Sequence, residues 1–412
     1  MEQKKIIFSP PDISEAEIEE VCAALRSGWL TTGPRTKELE RQIAEYLHTP
    51  KAVALNSATA AEELNLRILG IGEGDEVLVP AYTYTATAAA ALHVGADIRF
   101  IDCQENSLEM DYEQMENAIT EKTKAVIPVD LGGIPCDYEK IYEIAERKKG
   151  LFVPGGNTEL GQRIQKALGR VAVVSDSAHS FGASRKEKMA GTLADFSSFS
   201  FHAVKNFTTA EGGAAVWNPL PGIDDEELYR WYQLYSLHGQ SKDALAKTQL
   251  GSWEYDIVAP LYKCNMTDVA AAIGLKQMER YPALLERRKQ IIAQYDAACD
   301  AMGVEHLIHD TEEYASSRHL YLSRIPWADD ALRREVIVKM AERGIPCNVH
   351  YKPLPMMTAY RALGFDIKDY PNAYAHFANE VTLPLHTLLS DEDVAYIAKN
   401  YQEVLSATKH TG

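Results

Sequence analysis

Residues 75–102 read DEVLVPAYTYTATAAAALHVGADIRFID, and the way this stretch divides decides the fold. Two short apolar runs, DEVLVP and DIRFID, flank an alanine-rich segment whose pattern predicts a helix from about Thr85 to Val94. Runs this short and this rich in Val, Ile and Phe suit buried strands better than helices. The alternation continues on both sides. AVALN precedes a predicted helix from about Ala60 to Leu69, and a helix from about Asp111 to Ala118 leads into AVIPVDLGG. Strands alternating with helices build βαβ units and a mostly parallel sheet. Such a sheet binds its ligands at the carboxyl ends of its strands.

Further out, two amphipathic helices are predicted near the start, from about Glu15 to Arg26 and from about Lys37 to Leu47, joined by SGWLTTGP. The segment GLFVPGGNTELGQRIQKALGR, residues 150–170, carries glycines, a proline and basic residues. It reads as a surface insertion, because a compact α/β connection is normally shorter. A long helix is expected from about Met266 through Ala301, with Pro282 marking a kink. Beyond it, RHLYLSRIP, a helix near Asp330 to Arg343, IPCNVHYKPLP and a final helix from about Asp391 to Ala407 make a small α+β unit. The chain of 412 residues exceeds the size at which one core keeps growing. The expected division is a large domain over 1–265 and a bridging helix with a small C-terminal domain over 266–412.

A formal net charge of -17 argues against nucleic acid and anionic membranes as partners, since both select clustered Lys and Arg. The six cysteines form no CxxC pair, which removes the usual zinc and dithiol motifs and suits free thiols in a reducing compartment. The charged N-terminus lacks an apolar signal core, and no window offers the roughly 18 apolar residues of a membrane span. A soluble, cytoplasmic protein is expected.

Chemistry concentrates in a few stretches. Residues 199–213, FSFHAVKNFTTAEGG, set Lys205 among aromatic and small residues. A buried ammonium costs several kcal/mol unless its charge is shed or paired. The setting suits an amine that condenses with an aldehyde and carries a proton between carbons. Ser200 stands where it can reach a phosphate, and Gly212 and Gly213 permit close backbone approach. In LNSATAAEELNLRIL, Ser57 and Thr59 open a helix after a strand. That arrangement makes a phosphate cradle from free N–H groups and hydroxyls, or simply an N-cap. In VVSDSAHSFGA, Asp176 ends a Val-rich strand. An acid there needs a cation, either in a structural ion pair or as the protonated ring nitrogen of pyridoxal phosphate, whose usual protein partners are a Lys and an Asp. His319 and His350 lie 31 residues apart with no clustered acids, so no metal site is expected; structural histidines are the alternative reading.

Taken in order, GWLTTGP, NSATA, GDEVLVPAYTYTATAAAALHVGADIRFID, SDSAHSFGA, SFSFHAVKNFTTAEGG, YKCNMTDVAAAIGLKQ, NVHYKPLP and LPLHTLLSDEDV resemble the DegT/DnrJ-type nucleotide-sugar aminotransferases across nearly the whole chain. The resemblance implies a fold-type-I pyridoxal-phosphate enzyme with a large, mostly parallel-sheet domain and a smaller C-terminal α+β domain. It also implies a homodimer with shared sites, acting on a nucleotide-linked keto-deoxysugar with an amino donor such as glutamate. Lys205 matches the lysine that the family joins to its cofactor, and Asp176 the partner of the ring nitrogen. His179 falls where the family places a side chain against the ring hydroxyl, Tyr84 where an aromatic stacks on the ring, and Ala58, Thr59 and Ser200 at the phosphate. Lys263 or Asn265, in YKCNMTD, matches a segment that reaches the neighbouring subunit's phosphate. Thr32, His319, His350 and Tyr351 match the side of the sugar substrate. Met356 and Met357 depart from the pattern, since many relatives carry a second His after HYKPLP. A sugar dehydratase of the same family would carry His in place of Lys205, and a noncatalytic regulator with this fold would have no use for Lys205 and Asp176.

Overall fold

The computed structural model describes residues 4–242 and 254–409. Its centre is a seven-stranded sheet in the order Ala52–Leu55, Gly213–Trp217, Phe196–Ser200, Ala172–Asp176, Thr123–Val126, Glu76–Pro80, Asp97–Ile101. Every neighbouring pair is parallel except the two made by Gly213–Trp217, which runs against both of its neighbours. Four of these strands are buried along their whole length, and the last residue of Phe196–Ser200 and the first of Glu76–Pro80 are half-buried. Helices cover the sheet, which is why its strands read as continuous apolar runs rather than alternating ones. Pro80 closes its strand and passes the chain into the helix Thr85–His93.

Only the first half of residues 150–170 lies at the surface, and the second half is a packed helix rather than an insertion. Glu159–Leu168 is a helix capped by the Thr158 hydroxyl, which accepts the Gly161 N–H at 3.0 Å. Leu160 and Ile164, four residues apart, are both buried, as is Gln165, whose amide donates to the Leu69 carbonyl at 2.8 Å. The glycine that reads as a breaker is a packing device. A Cβ on Gly161 would stand 2.6 Å from the Gly70 Cα, so the two backbones meet where only glycine fits. The segment completes the connection into Ala172–Asp176.

Thirty-five residues, Asp268–Met302, form one helix that continues through Pro282. It packs along Glu15–Ser27, Pro34–Leu47 and the last helix, Asp391–Lys409. Buried Asp268 ties its start to the connector: its carboxylate accepts the N–H groups of Gly33, Arg35 and Thr36 and the Thr36 hydroxyl. Those donors are the unpaired first turn of Pro34–Leu47, which lacks a side-chain cap of its own. A separate apolar core joins Ile6 with side chains between Ile291 and Leu405, around a three-stranded antiparallel sheet of Glu305–His306, Tyr321–Arg324 and Glu380–Leu383. Among the described residues no helix is long and apolar enough to cross a membrane.

Candidate active site

At the carboxyl ends of the parallel strands lies a cavity of about 380 Å³. Its lining includes Ala58, Thr59, Tyr84, Asp176, His179, Ser200, Lys205, His350 and Tyr351. Sequence reasoning singled out each of these from separate stretches, and the fold brings them to one place.

The helix Ala58–Ile68 points its N-terminus at this space. The Ser57 hydroxyl takes the Ala60 N–H at 3.1 Å and the Ser57 carbonyl that of Ala61, while no acceptor among the described residues meets the N–H groups of Ala58 and Thr59. Both readings of NSATA therefore hold together: Ser57 is the cap, and two free donors remain for an anion. Gly213 fixes this geometry, because a Cβ there would lie 2.5 Å from the Ala58 nitrogen.

Asp176 ends its strand with its carboxylate accepting from the Thr87 hydroxyl at 2.7 Å and from the Ala178 N–H at 3.1 Å. Burial raises its pKa above the ordinary carboxylate value, and the two donors and the Lys205 charge oppose that rise. Lys205 sits in the loop between Phe196–Ser200 and Gly213–Trp217. Burial lowers its ammonium to about 8, against the pull of Asp176. An amine tuned this way loses and regains a proton near neutral pH. His179 accepts the Gly132 N–H at its Nδ1 (3.2 Å), so its hydrogen sits on Nε2, 3.2 Å from the Tyr351 hydroxyl. Burial and the neighbouring Lys205 charge hold the ring neutral, its pKa well below the usual value.

Four expected site residues lie off the cavity wall. His319 packs behind His179, ring centroids 4.4 Å apart, with its Nδ1 on the Asn206 amide oxygen at 3.0 Å. Thr32, Lys263 and Asn265 form their own cluster. The Asn265 amide donates to the Thr32 hydroxyl at 2.6 Å, the Lys263 ammonium meets the Asn265 oxygen, and Thr32 donates to the Met266 carbonyl. Among the described residues no group of histidine, cysteine and carboxylate side chains is placed to hold a metal ion.

Sequence reasoning missed Glu62 and Thr87. Glu62 lines the cavity, takes the Ser198 hydroxyl on one carboxyl oxygen, and leaves the other buried and unpaired. Burial, with the Asp176 charge second, lifts it well above the carboxylate range. Its spacing of four from Ala58, on the same helix face, was the available signal. Thr87 offered none beyond its place in the first turn of Thr85–His93.

These residues fit pyridoxal phosphate, the group the sequence resemblance implies. The free N–H groups of Ala58 and Thr59 and the Ser200 hydroxyl suit its phosphate, Asp176 its ring nitrogen, the His179 Nε2–H its ring hydroxyl, and Lys205 its aldehyde.

Comparison with known proteins agrees. The DegT/DnrJ/EryC1/StrS aminotransferase family model matches residues 11–154 and 162–402, so the unmatched residues 155–161 are confined to the turn and first helical residues before the rest of Glu159–Leu168. The putative sugar aminotransferase Spr1654 from Streptococcus pneumoniae, in its PMP form, is 56% identical with a TM-score of 0.94, covering 98% of this chain and 100% of that one. Its PLP form gives 54%, 0.93, 98% and 99%. The spore coat polysaccharide biosynthesis protein SpsC of Bacillus subtilis is 35% identical over 98% of this chain and 99% of its own length. With the fold, the cavity and these likenesses in agreement, the chain belongs to the DegT/DnrJ/EryC1/StrS aminotransferase family and is a sugar aminotransferase that works with pyridoxal phosphate.

Proposed function

We propose that this enzyme transfers the amino group of glutamate to the keto carbon of a nucleotide-linked deoxysugar, supplying an amino sugar for a polysaccharide or other glycan. The observation that carries the reading is the single cavity in which a helix N-terminus, Asp176, His179 and Lys205 converge. The likeness to SpsC supports the polysaccharide context. When bound, pyridoxal phosphate supplies an aldehyde that takes up the amino group and a ring that draws electrons from a carbon losing its proton. The protein's part is positional and acid–base. Ala58, Thr59 and Ser200 hold the phosphate, Asp176 keeps a positive ring nitrogen facing it, and His179 donates from Nε2. The Lys205 amine takes a proton from one carbon and returns it to another, in each half of a two-stage exchange.

Incubation with glutamate and a panel of nucleotide-linked and free keto sugars tests this. Mass spectrometry and NMR should show a nucleotide-linked amino sugar formed together with 2-oxoglutarate. Amination of free sugars alone, or no use of glutamate, would contradict it.

The exposed Lys263 and its partners Asn265 and Thr32 lie apart from the cavity of their own chain. In our reading they complete the phosphate site of a second copy, in a homodimer with shared sites, and the chain divides into a large domain over 1–265 and a smaller one over 266–412. Mixing Lys205→Ala with a Lys263→Ala, Asn265→Ala double variant, each inactive alone, should restore activity, because a hybrid dimer carries one site with neither defect. No recovery after confirmed subunit exchange would rule the shared site out.

A further inference from the structure

His350 and Tyr351 line the cavity, and His350 is wired to a buried carboxyl that the chemistry above does not use. His350 Nδ1 lies 2.9 Å from the Thr382 hydroxyl, and that hydroxyl lies 2.6 Å from Glu380 Oε1. The other carboxyl oxygen, Oε2, accepts the His350 backbone N–H at 2.9 Å. Glu380 is 1% exposed. Among the described residues no ion pair holds it. Arg324, directly opposite on the neighbouring strand, is engaged with Glu305 and Asn379, and Arg333 with Asp330. His350 Nε2 makes no hydrogen bond among the described residues, and the ring lines the cavity.

Resting on the proposed site, we infer that Glu380, acting through Thr382, decides which nitrogen of His350 carries its hydrogen, and so whether Nε2 accepts or donates a hydrogen bond inside the cavity. Valence couples the three groups. A threonine hydroxyl has one hydrogen to give. When Glu380 is ionised it only accepts, so Thr382 must donate to it and can only accept from His350. The hydrogen of the ring is then on Nδ1, and Nε2 presents a lone pair to the cavity. When Glu380 is protonated, its O–H donates to Thr382, and Thr382 donates to Nδ1. The ring hydrogen then stands on Nε2. The net change is one proton bound at the carboxyl, with the imidazole releasing one hydrogen at Nδ1 and gaining one at Nε2 by exchange with solvent.

Two further features support the relay. The imidazole itself stays neutral around pH 7, because burial and the Lys205 charge lower it to about 4, so only its tautomer is free to change. Glu380, by contrast, is raised to about 8 by burial, opposed by the Thr382 and His350 donors and by Arg333. Its other ionisable neighbours are Tyr82, Cys347, Tyr351 and Tyr401, each itself raised by burial, and Arg324 across the strand pair. It also lines a second cavity of about 300 Å³ with His306, Arg324, Glu305 and His376. Glu380 is thus a positioning residue for His350.

The test is nitrogen-15 NMR of histidine-labelled holoenzyme across the pH range, with steady-state pH profiles alongside. Wild type should move from the Nε2–H to the Nδ1–H tautomer of His350 as pH rises. In Glu380→Gln the amide oxygen keeps the backbone N–H and the NH₂ faces Thr382, so the Nε2–H form should persist at every pH. Thr382→Val should remove the pH response, and Thr382→Ser should restore it. The kinetic profile should lose the same transition in Glu380→Gln, whereas a merely structural role would lower the rate evenly. A wild-type tautomer change in both Glu380→Gln and Thr382→Val, or none in wild type, would overturn the relay. The tautomer is read without any substrate, so failure of the relay and failure of the proposed sugar reaction remain separate results.

Discussion

The floor of the cavity and its C-terminal wall each hold a buried carboxyl with two hydrogen-bond donors, and they serve opposite ends. Asp176 receives Thr87 and Ala178 and faces Lys205, whose charge opposes the effect of burial. Glu380 receives Thr382 and the His350 backbone without an ion pair among the described residues, and burial raises it to about 8. Burial and equal donor counts therefore do not fix a carboxyl's role. Burial raises both and a cation opposes each rise, Lys205 for Asp176 and Arg333 for Glu380; what separates them is that Asp176 lines the cavity and Glu380 stands behind His350. Asp176 is arranged to stay charged against a cation, and Glu380 to take up and release a proton.

The sharpest way to break the floor's side of this contrast is Lys205→Ala. It should abolish transamination while leaving the circular-dichroism spectrum and melting curve close to wild type; measurable turnover would remove Lys205 from the chemistry. Asp176→Asn should be milder, with cofactor retained through the phosphate donors and turnover reduced about a thousandfold, on the order of 4 kcal/mol of transition-state stabilisation. A near-normal rate would mean that the charge of Asp176 does not matter. The wall should show itself in stability as well as in the pH profile of the rate. A carboxyl raised in the folded state contributes stability fully present below the ordinary value of 4.5, which is lost as pH climbs to about 8. Melting temperatures of wild type should accordingly fall more steeply over that window than those of Glu380→Gln. Parallel curves would show that Glu380 does not titrate there.

Much of the floor was legible from sequence because its signals are local. Strands buried on both faces read as short apolar runs, and a lysine in an apolar, glycine-flanked stretch is costly enough to announce itself. The supporting contacts were not legible, since tertiary folding alone brings them together. Thr87 reaches Asp176 across 89 residues, Asn265 reaches Thr32 across 233, and His350 meets Thr382 across 32. The helical half of residues 150–170 was misread for a related reason. Gly161 signals a break in a linear reading, and its use appears only where the Gly70 backbone comes against it.

Borohydride reduction of the holoenzyme asks whether Lys205 holds the cofactor in the cavity floored by Asp176. Reduction fixes the cofactor to whichever amine carries it, and peptide mass mapping then locates the adduct. A single modified residue, Lys205, is expected, with the label absent from enzyme first converted by glutamate to its amino form. A label on any other lysine, or on Lys205 in equal amount after glutamate treatment, would contradict it.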